Sequence, residues 1–531
     1  MKFPPEILQN IFKEISYFTD LYNCLLVNRY WCTNVLPTLW ENPFEKIFWS
    51  RNFKIIEIYI SCLSPQSKLI LQQNGLDRVQ LLKEGDKNIP LFNYIMYLRG
   101  IDFTILYTAT ANWIYKIIIE QEKRDRELQQ RQQLEKILVE EDSTIENISK
   151  ISKKYEYLSN TQLIIFQELI KMIVKKSSVQ RYKLTIPEGL GSYTYLDCLN
   201  EIIPERSHLE LLKLTTSNHH LFFSKFKNIF CTIDKLIIKC KEDDDNLSDF
   251  LNSLPRIHFL KIRLIDQPMP HLTNALRNLL KVNDDKLTYL WIKQGGSIPL
   301  DIFSGCKNLV NLRITDSHLP DARNTTKSFW SLNTLQPFSN GPEYNRLVEF
   351  SLSIDARINL HQLSKIISKT NGSLQYLCLK WEIEQDPEHC QLLFDNILKS
   401  CPNLIDIFIS ISPHTIKYLI DFLENLKHLE ILEIDSLVKN IDLNDWLPNI
   451  GRKVTSRLTL LGFYCKFICN LDEFNQFLNN IPSVSLFDEQ FFSVGLELYF
   501  HDANVWMGRD KINLLRRYVK IGKIHSNVCG P

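Results

Sequence analysis

The sequence predicts an α/β protein in which a helical N-terminal region precedes a solenoid of parallel strands and helices. Two observations predict this architecture. Apolar residues in the first 46 positions recur at helical spacing, and from about residue 179 an apolar triplet of the form L-x-x-L-x-L returns ten times. The 531 residues, 44% of them hydrophobic, are enough for several compact domains or one extended array.

The composition argues against several functional classes. Lysine and arginine total 62 against 61 acidic residues, a balance that argues against a general binder of nucleic acid or anionic membranes. No apolar run is long enough for a signal peptide or a membrane helix, so we expect a cytoplasmic or nuclear protein. The 13 cysteines are scattered without a C-x-x-C pair. We therefore expect buried free thiols, with neither a metal site nor a cofactor.

Residues 1–46 predict three short helices. Pro4 and Pro5 suit a first helical turn, where their missing N–H groups need no partner. We expect Thr19 or Asp20 to cap the second helix and Pro37 to break the third. The first helix has one apolar stripe, formed by Ile7, Leu8, Ile11, Phe12 and Ile15. Three helices this short bury too little apolar area to be stable alone, so they either pack on the rest of the chain or dock on a partner.

This N-terminal stretch resembles an F-box. The resemblance is carried by Pro-Pro-Glu-Ile-Leu-x-x-Ile-Phe from residue 4, Cys-Leu-Leu-Val-Asn-Arg-x-Trp from residue 24, and Leu-Trp at 39–40. Phe3 stands where the family usually has leucine. F-boxes are three-helix motifs that dock on the SKP-type adaptor of cullin–RING ubiquitin ligases, so the resemblance implies such an adaptor as a partner. The adaptor-facing positions of the family fall on Pro4, Pro5, Glu6, Ile7, Leu8, Ile11, Phe12, Val27 and Trp31.

Residues 47–178 predict a helical connector that packs behind the first domain. Its apolar content is high from Phe53 to Ile119, and a charged stretch then follows at 120–142. This stretch has helical propensity but no apolar face before Leu134, so we interpret it as a charged helical or mobile insertion. A coiled coil is the alternative, but no sustained heptad pattern supports it.

Residues 179–531 predict an irregular solenoid. The triplets run from Leu209-Leu212-Leu214 to Leu458-Leu461-Phe463 at intervals of 22 to 38 residues, with amphipathic helical patterns between them. This pattern resembles the leucine-rich-repeat family, which implies a horseshoe with parallel strands on its concave face. The asparagine or cysteine that the family often places after the strand is mostly missing, so we expect uneven curvature. The basic segment 509–523 predicts a C-terminal capping helix.

The predicted concave face differs in charge along its length. The residues flanking the last two apolar positions of each triplet include seven basic and no acidic side chains in the first five repeats, against four acids and one lysine in the last five. We expect the first half to bind an acidic or phosphorylated segment of a protein substrate. The candidate substrate-binding residues are Lys213, Lys235, Lys239, Phe259, Lys261, Arg263, Tyr289, Trp291, Lys293 and Arg313.

The two resemblances together imply the substrate-recognition subunit of an SCF-type cullin–RING ubiquitin ligase, of the F-box and leucine-rich-repeat kind that is abundant in fungi. Such a subunit is not an enzyme, because it acts by holding the target near ubiquitin-charged enzyme. Three alternatives stay open: a ligase with its own catalytic cysteine, a small-molecule sensor that holds a phosphorylated ligand, and a non-ligase scaffold.

Overall fold

The computed structural model describes residues 3–15, 17–46, 52–76, 82, 90–117, 146–177, 179, 181–186, 198–199, 202–203, 207–215, 230–239, 243, 245–254, 257–263, 269–293, 299–316, 335–354, 359–381, 385–436, 441–482, 496–500, 507–520 and 524–526. The predicted insertion at 120–142 lies outside these residues. The chain forms two compact units, unit 1 from Met1 to Lys235 and unit 2 from Leu236 to Pro531.

Unit 1 contains the N-terminal helices, the connector and the first strands. Its first helices are α1 (Pro5–Glu14), α2 (Phe18–Leu25) and α3 (Arg29–Trp40). Further helices span Pro43–Lys46, Phe53–Ser61, Pro65–Leu71, 103–117 and Glu146–Lys176. Its strands are β1 (Gly100–Asp102), β2 (Arg181–Ile186) and β3 (Ser207–Thr215), which pair in parallel. Strand β4 (Phe230–Lys239) contains the boundary between the units.

The N-terminal helices pack on the connector through the end of α3. The Trp40 ring lies 4.4 Å from the Tyr94 ring, and the backbone carbonyl of Glu41 accepts a hydrogen bond from the Arg99 N–H at 3.0 Å. A Cβ added at Gly100 would meet the side-chain Oδ1 of Asn42, so the Asn42 side chain approaches the Gly100 backbone closely. Of the two expectations for the short helices, packing on the rest of the chain is therefore confirmed.

Two local predictions in this region were wrong. Helix α2 begins after Tyr17, with no side-chain cap from Thr19 or Asp20, because these two residues already lie inside its first turn. Pro37 does not break α3, which continues to Trp40. The second half of α3 is buried, and this tertiary packing offsets the loss of one backbone hydrogen bond.

Unit 2 alternates strands with helices. Its strands are β5 (Phe259–Arg263), β6 (Tyr289–Lys293), β7 (Asn311–Asp316), β8 (Glu349–Ile354), β9 (Tyr376–Trp381), β10 (Asp406–Ile411), β11 (Ile431–Ser436), β12 (Ile441–Asp442), β13 (Leu460–Phe463), β14 (Phe467–Ile468), β15 (Glu497–Phe500) and β16 (His525–Ser526). Its α-helices span Asp245–Asn252, Pro270–Asn283, Gln336–Asn340, Leu360–Ser368, Pro387–Ser400, Lys417–Asn425, Leu447–Lys453, Leu471–Asn480 and Arg509–Lys520.

The predicted strand frame is confirmed in unit 2. All residues of its triplets from Ile257 to Phe463 are 3% exposed or less. The strands are parallel and in register, so that the middle residue of one triplet pairs with the middle residue of the next. This row runs through Leu260, Leu290, Leu312, Phe350, Leu377, Ile407, Leu432 and Leu461. Because the side chains of a strand alternate between faces, the flanking residues line the opposite, half-exposed face of the sheet.

Some backbone groups near the strands are satisfied by residues that the repeat comparison did not identify. Asn283 is fully buried, and its side chain accepts a hydrogen bond from the Ile257 N–H at 3.1 Å and donates one to the Leu279 carbonyl at 2.8 Å. A buried amide that is bonded in both directions can order a turn without the asparagine expected after the strand.

Candidate partner-binding surfaces

Unit 1 exposes a cluster of apolar side chains near its N-terminus. Seven of the sixteen large hydrophobic residues that are exposed among the described residues fall between positions 3 and 27. We call the part formed by Ile7, Ile11 and Val27 the N-terminal surface; their exposed fractions are 46%, 45% and 56%. Exposed aliphatic side chains concentrated in one short segment are typical of a surface that a partner can cover.

Local geometry fixes the backbone around these three residues. Ile7 and Ile11 are one helical turn apart on α1 and therefore share a face. The hydroxyl of Tyr30 donates a hydrogen bond to the Phe3 carbonyl at 2.6 Å, which ties the start of α3 to the segment before α1. Asn28 caps α3 by accepting a hydrogen bond from the Trp31 N–H at 2.9 Å, and this cap places Val27 just before the helix.

The structure divides the predicted adaptor-binding residues into two groups. Pro4, Pro5 and Glu6 are exposed like the N-terminal surface, and Trp31 is half-buried. Leu8 and Phe12, however, are only 1% and 0% exposed. Their assignment to the adaptor-facing surface was wrong, because they lie on the inner side of α1, where the Phe12 ring packs edge-on against Trp31 at 5.4 Å.

Unit 2 presents charged and aromatic side chains on the half-exposed face of its sheet, which we call the open face. Trp291 lies on β6, between its neighbouring strands β5 and β7. The Nζ atom of Lys261 is 3.3 Å from the centroid of the Trp291 ring, and the Arg313 guanidinium is 5.6 Å away on the other neighbouring strand. Beside this row the rings of Phe259 and Tyr289 stack at 4.1 Å. The strand register therefore brings these five predicted residues together.

The remaining predicted substrate-binding residues are spread over both units. Lys239, Arg263 and Lys293 are half-buried on strands of unit 2. Lys213 and Lys235 are exposed and belong to unit 1, where Lys235 lies 3.4 Å from Glu210. Mutual contacts support the cluster of Phe259, Lys261, Tyr289, Trp291 and Arg313 in unit 2.

Arg313 does not extend the basic cluster as the sequence predicted. Its guanidinium pairs with the carboxylate of Glu349, which also accepts a hydrogen bond from the Asn311 amide. The sequence prediction divided the face into two halves between Arg313 and Glu349, although these two residues lie on the adjacent strands β7 and β8. The pairing neutralises Arg313, so the basic cluster ends at Lys293 on β6.

A cavity of about 480 Å³ lies next to this ion pair on the open face. The sequence analysis did not identify it, although the sequence places two small side chains, Ser351 and Cys378, at consecutive positions of one row across the sheet. Larger side chains surround them: Arg313, Glu349, Tyr376, Asp406, Phe408 and Glu433. The contrast in side-chain size at fixed strand spacing produces the cavity.

The surroundings of the cavity disfavour the charged form of Asp406. Burial raises the pKa of Asp406 from 3.8 to about 6, and the neighbouring carboxylates of Glu433 and Glu349 add to the effect. The pKa of the Cys378 thiol is also raised, chiefly by burial. Glu433 accepts a hydrogen bond from the Tyr464 hydroxyl at 2.7 Å.

Other kinds of site find no support in the described part of the chain. No described helix is long and apolar enough to cross a membrane. The described histidine, cysteine, aspartate and glutamate residues form no group of three that could hold a metal ion. The described cysteines Cys24, Cys32, Cys62, Cys198, Cys306, Cys378, Cys390, Cys401, Cys465 and Cys469 are free thiols.

Comparison with known proteins identifies the N-terminal segment. Residues 2–46 match the family model of the F-box-like domain, so the chain contains such a domain where the N-terminal surface lies. No curated protein sequence matches the chain. Among solved structures, the chain is similar to one from the Toll–Spatzle complex of Drosophila, with 12% identity and a TM-score of 0.30 over 59% of this chain. The match covers only 43% of that neighbour, and at this TM-score it supports no conclusion.

Proposed function

We propose that the protein is the substrate-recognition subunit of an SCF-type cullin–RING ubiquitin ligase. In this function the F-box-like domain binds an SKP-type adaptor, and the open face of unit 2 captures a target protein for ubiquitination. The observation that carries the proposal is the exposure of Ile7, Ile11 and Val27 within the matched segment. An amphipathic helix with one face in the core and aliphatic residues outside is suited to docking against partner helices.

Three buried thiols are poorly suited to nucleophilic catalysis. Burial raises the pKa of Cys306, Cys401 and Cys465 to about 12, so these thiols stay protonated at neutral pH. A nucleophilic cysteine needs a lowered pKa or an adjacent base. We propose that catalysis resides in other subunits, and that the protein functions in the cytoplasm or nucleus.

The target-binding part of the proposal rests on the basic and aromatic cluster of β5 and β6. Lys261, Trp291 and Lys293 combine positive charge with an aromatic face, the side-chain types that anchor many protein interfaces. We propose that this cluster binds an acidic or phosphorylated segment of the target. The alternative hypothesis is a small-molecule sensor. Stabilisation of the chain by inositol phosphate but not by an acidic peptide would favour it.

Adaptor capture tests the function directly. Purified SKP-type adaptor is incubated with the immobilised wild-type chain, the Ile7→Lys/Ile11→Lys variant and the matched control Leu69→Lys. Leu69 is 52% exposed but lies outside the F-box-like domain, so its variant adds charge to another apolar site of unit 1. We expect the double variant to lose capture and the control to retain it. A folded wild-type chain that captures no adaptor would contradict the proposal and leave the scaffold alternative.

A further inference from the structure

The cavity on the open face has a floor of small residues and walls of larger ones. Ser351 and Cys378 form part of the floor, with Phe408 next in the same row. Tyr376 and Asp406, directly opposite each other on β9 and β10, belong to the parallel row. The volume of about 480 Å³ falls in the range of roughly 300–1,000 Å³ that small-ligand sites occupy.

The charges lining the cavity do not balance. Arg313 is paired with Glu349, and Glu433 receives a hydroxyl hydrogen bond from Tyr464. Among the described residues, no donor or cation contacts the Asp406 carboxylate, although two other carboxylates lie near it. Pairing Arg313 with Glu349 leaves Asp406 and Glu433 as uncompensated negative charges, and a half-buried charge without a counter-ion is costly. The cavity therefore carries an excess of negative charge.

The walls indicate which kind of cation fits. The described acids have no arrangement that could hold a metal ion, which favours an organic cation. Phe408 and Tyr376 supply aromatic surface beside the acids, and the Phe408 ring lies 5.3 Å from that of Tyr464. A guanidinium is planar, weakly hydrated and stacks on aromatic faces, and its fork of N–H groups matches carboxylate oxygens. An ammonium is a strongly hydrated point charge and uses such walls less well.

We propose that this cavity binds an arginine side chain of the partner polypeptide, whose guanidinium pairs with Asp406 and Glu433 beside Phe408. This inference rests on the proposed function, because it specifies the target as a protein that presents an arginine. With the basic cluster on β5 and β6, it describes a target segment that carries both an acidic group and an arginine.

Short peptides test the proposal. The probe is the blocked pentapeptide Gly-Gly-Arg-Gly-Gly, compared with the same peptide containing citrulline or lysine in place of arginine. Citrulline keeps the shape of arginine and removes its charge. We expect the arginine peptide to bind the full chain with a dissociation constant on the order of 1 mM in saturation-transfer NMR, because one side chain makes few contacts. We expect at least about threefold weaker binding for lysine and no binding for citrulline.

Two variants and a matched control locate the site. Asp406→Asn removes one of the two uncompensated charges, and Ser351→Leu fills the floor of the cavity while leaving the acids in place. We expect each to weaken arginine binding about tenfold, the effect of losing one buried charged contact. Asp435→Asn removes an acid from the same strand face as Glu433, outside the cavity and 3.4 Å from Lys380, and should change binding less than twofold. Thermal unfolding confirms that each variant is folded.

The outcomes separate this inference from the proposed function. Equal binding of arginine and citrulline peptides, no arginine binding, or full affinity in both Asp406→Asn and Ser351→Leu would overturn the arginine site. Adaptor capture is measured on the same samples, and Asp406→Asn should retain it because Asp406 lies in unit 2. Adaptor capture without arginine binding overturns only the cavity proposal. Arginine binding without adaptor capture supports the cavity and overturns the ligase function.

Discussion

The N-terminal surface of unit 1 and the open face of unit 2 present opposite kinds of chemistry. The N-terminal surface is aliphatic, with Ile7, Ile11 and Val27 about half exposed. The open face combines ion pairs, stacked rings and an uncompensated acid around a cavity. An aliphatic surface of this kind gains free energy from burial and suits one constant partner, whereas a charged face discriminates among partners by complementarity. The proposed function needs one surface of each kind.

The largest expected effect separates the core of the first region from its surface. Phe12→Ala should destabilise the N-terminal helices by about 3–5 kcal/mol, because it leaves a cavity at a fully buried ring. Ile11→Ala, at a position 45% exposed, should cost less than about 1 kcal/mol. Hydrogen exchange of residues 3–46 measures both. Similar protection in the two variants would mean that α1 is not oriented as described.

The next effect concerns the ion pair at the edge of the cavity. Arg313→Ala leaves Glu349 without its cation and should lower the stability of unit 2 by roughly 1–2 kcal/mol, the low end for charged hydrogen bonds because the Arg313 side chain is 38% exposed. Lys293→Ala, on the neighbouring strand, should cost less than about 0.5 kcal/mol. Urea unfolding of the full chain compares them. Equal midpoints would show that the pairing contributes nothing, and Arg313 could then serve a partner.

A smaller effect tests the cation over Trp291. Lys261→Met and Trp291→Leu each remove one side of the contact, and the double variant closes a mutant cycle. We expect a coupling of about 0.5–1 kcal/mol, the range for exposed cation–π pairs. A coupling near zero would leave Lys261 without a measurable role in the folded chain. In that case, any loss of target binding in Lys261→Met would come from the loss of the positive charge and not from a change in the fold.

The smallest effect depends on pH. The raised pKa of Asp406 means that folding favours its protonated form, so this group costs stability as the pH rises from about 4 to above 6. Asp406→Asn should therefore raise the thermal midpoint at pH 7.5 and have much less effect at pH 4.5. Glu430→Gln, at an exposed position, is the control. An equal rise of the thermal midpoint of Asp406→Asn at both pH values would contradict the conclusion that the folded structure disfavours the charged form of Asp406.

Much of the fold could be predicted from the sequence, because its signals are local and periodic. The eight apolar triplets from Ile257 to Phe463 predict strands whose register the structure reproduces, as Leu260 opposite Leu290 illustrates. The pattern from Pro4 to Trp40 identifies the F-box-like domain that the family match confirms. These signals are strong because a strand or helix that buries one face must repeat its apolar residues at a fixed period. The helix cap at Tyr17 was missed because it has no side-chain signature.

The sequence by itself determined where the repeat strands of unit 2 lie, which of their residues form the core, and which side chains line the open face. Only the tertiary structure decided how those side chains are used. The apolar stripe of α1 does not reveal that Leu8 and Phe12 face inward while Ile7 and Ile11 stay outside, because that choice depends on what packs against the helix. Likewise, Arg313 meets Glu349 across adjacent strands although 36 residues separate them. The triplets place these residues on adjacent strands, but Arg313 is opposite Ser351, and its diagonal pairing with Glu349 depends on how the two side chains extend across the sheet, which no local pattern encodes.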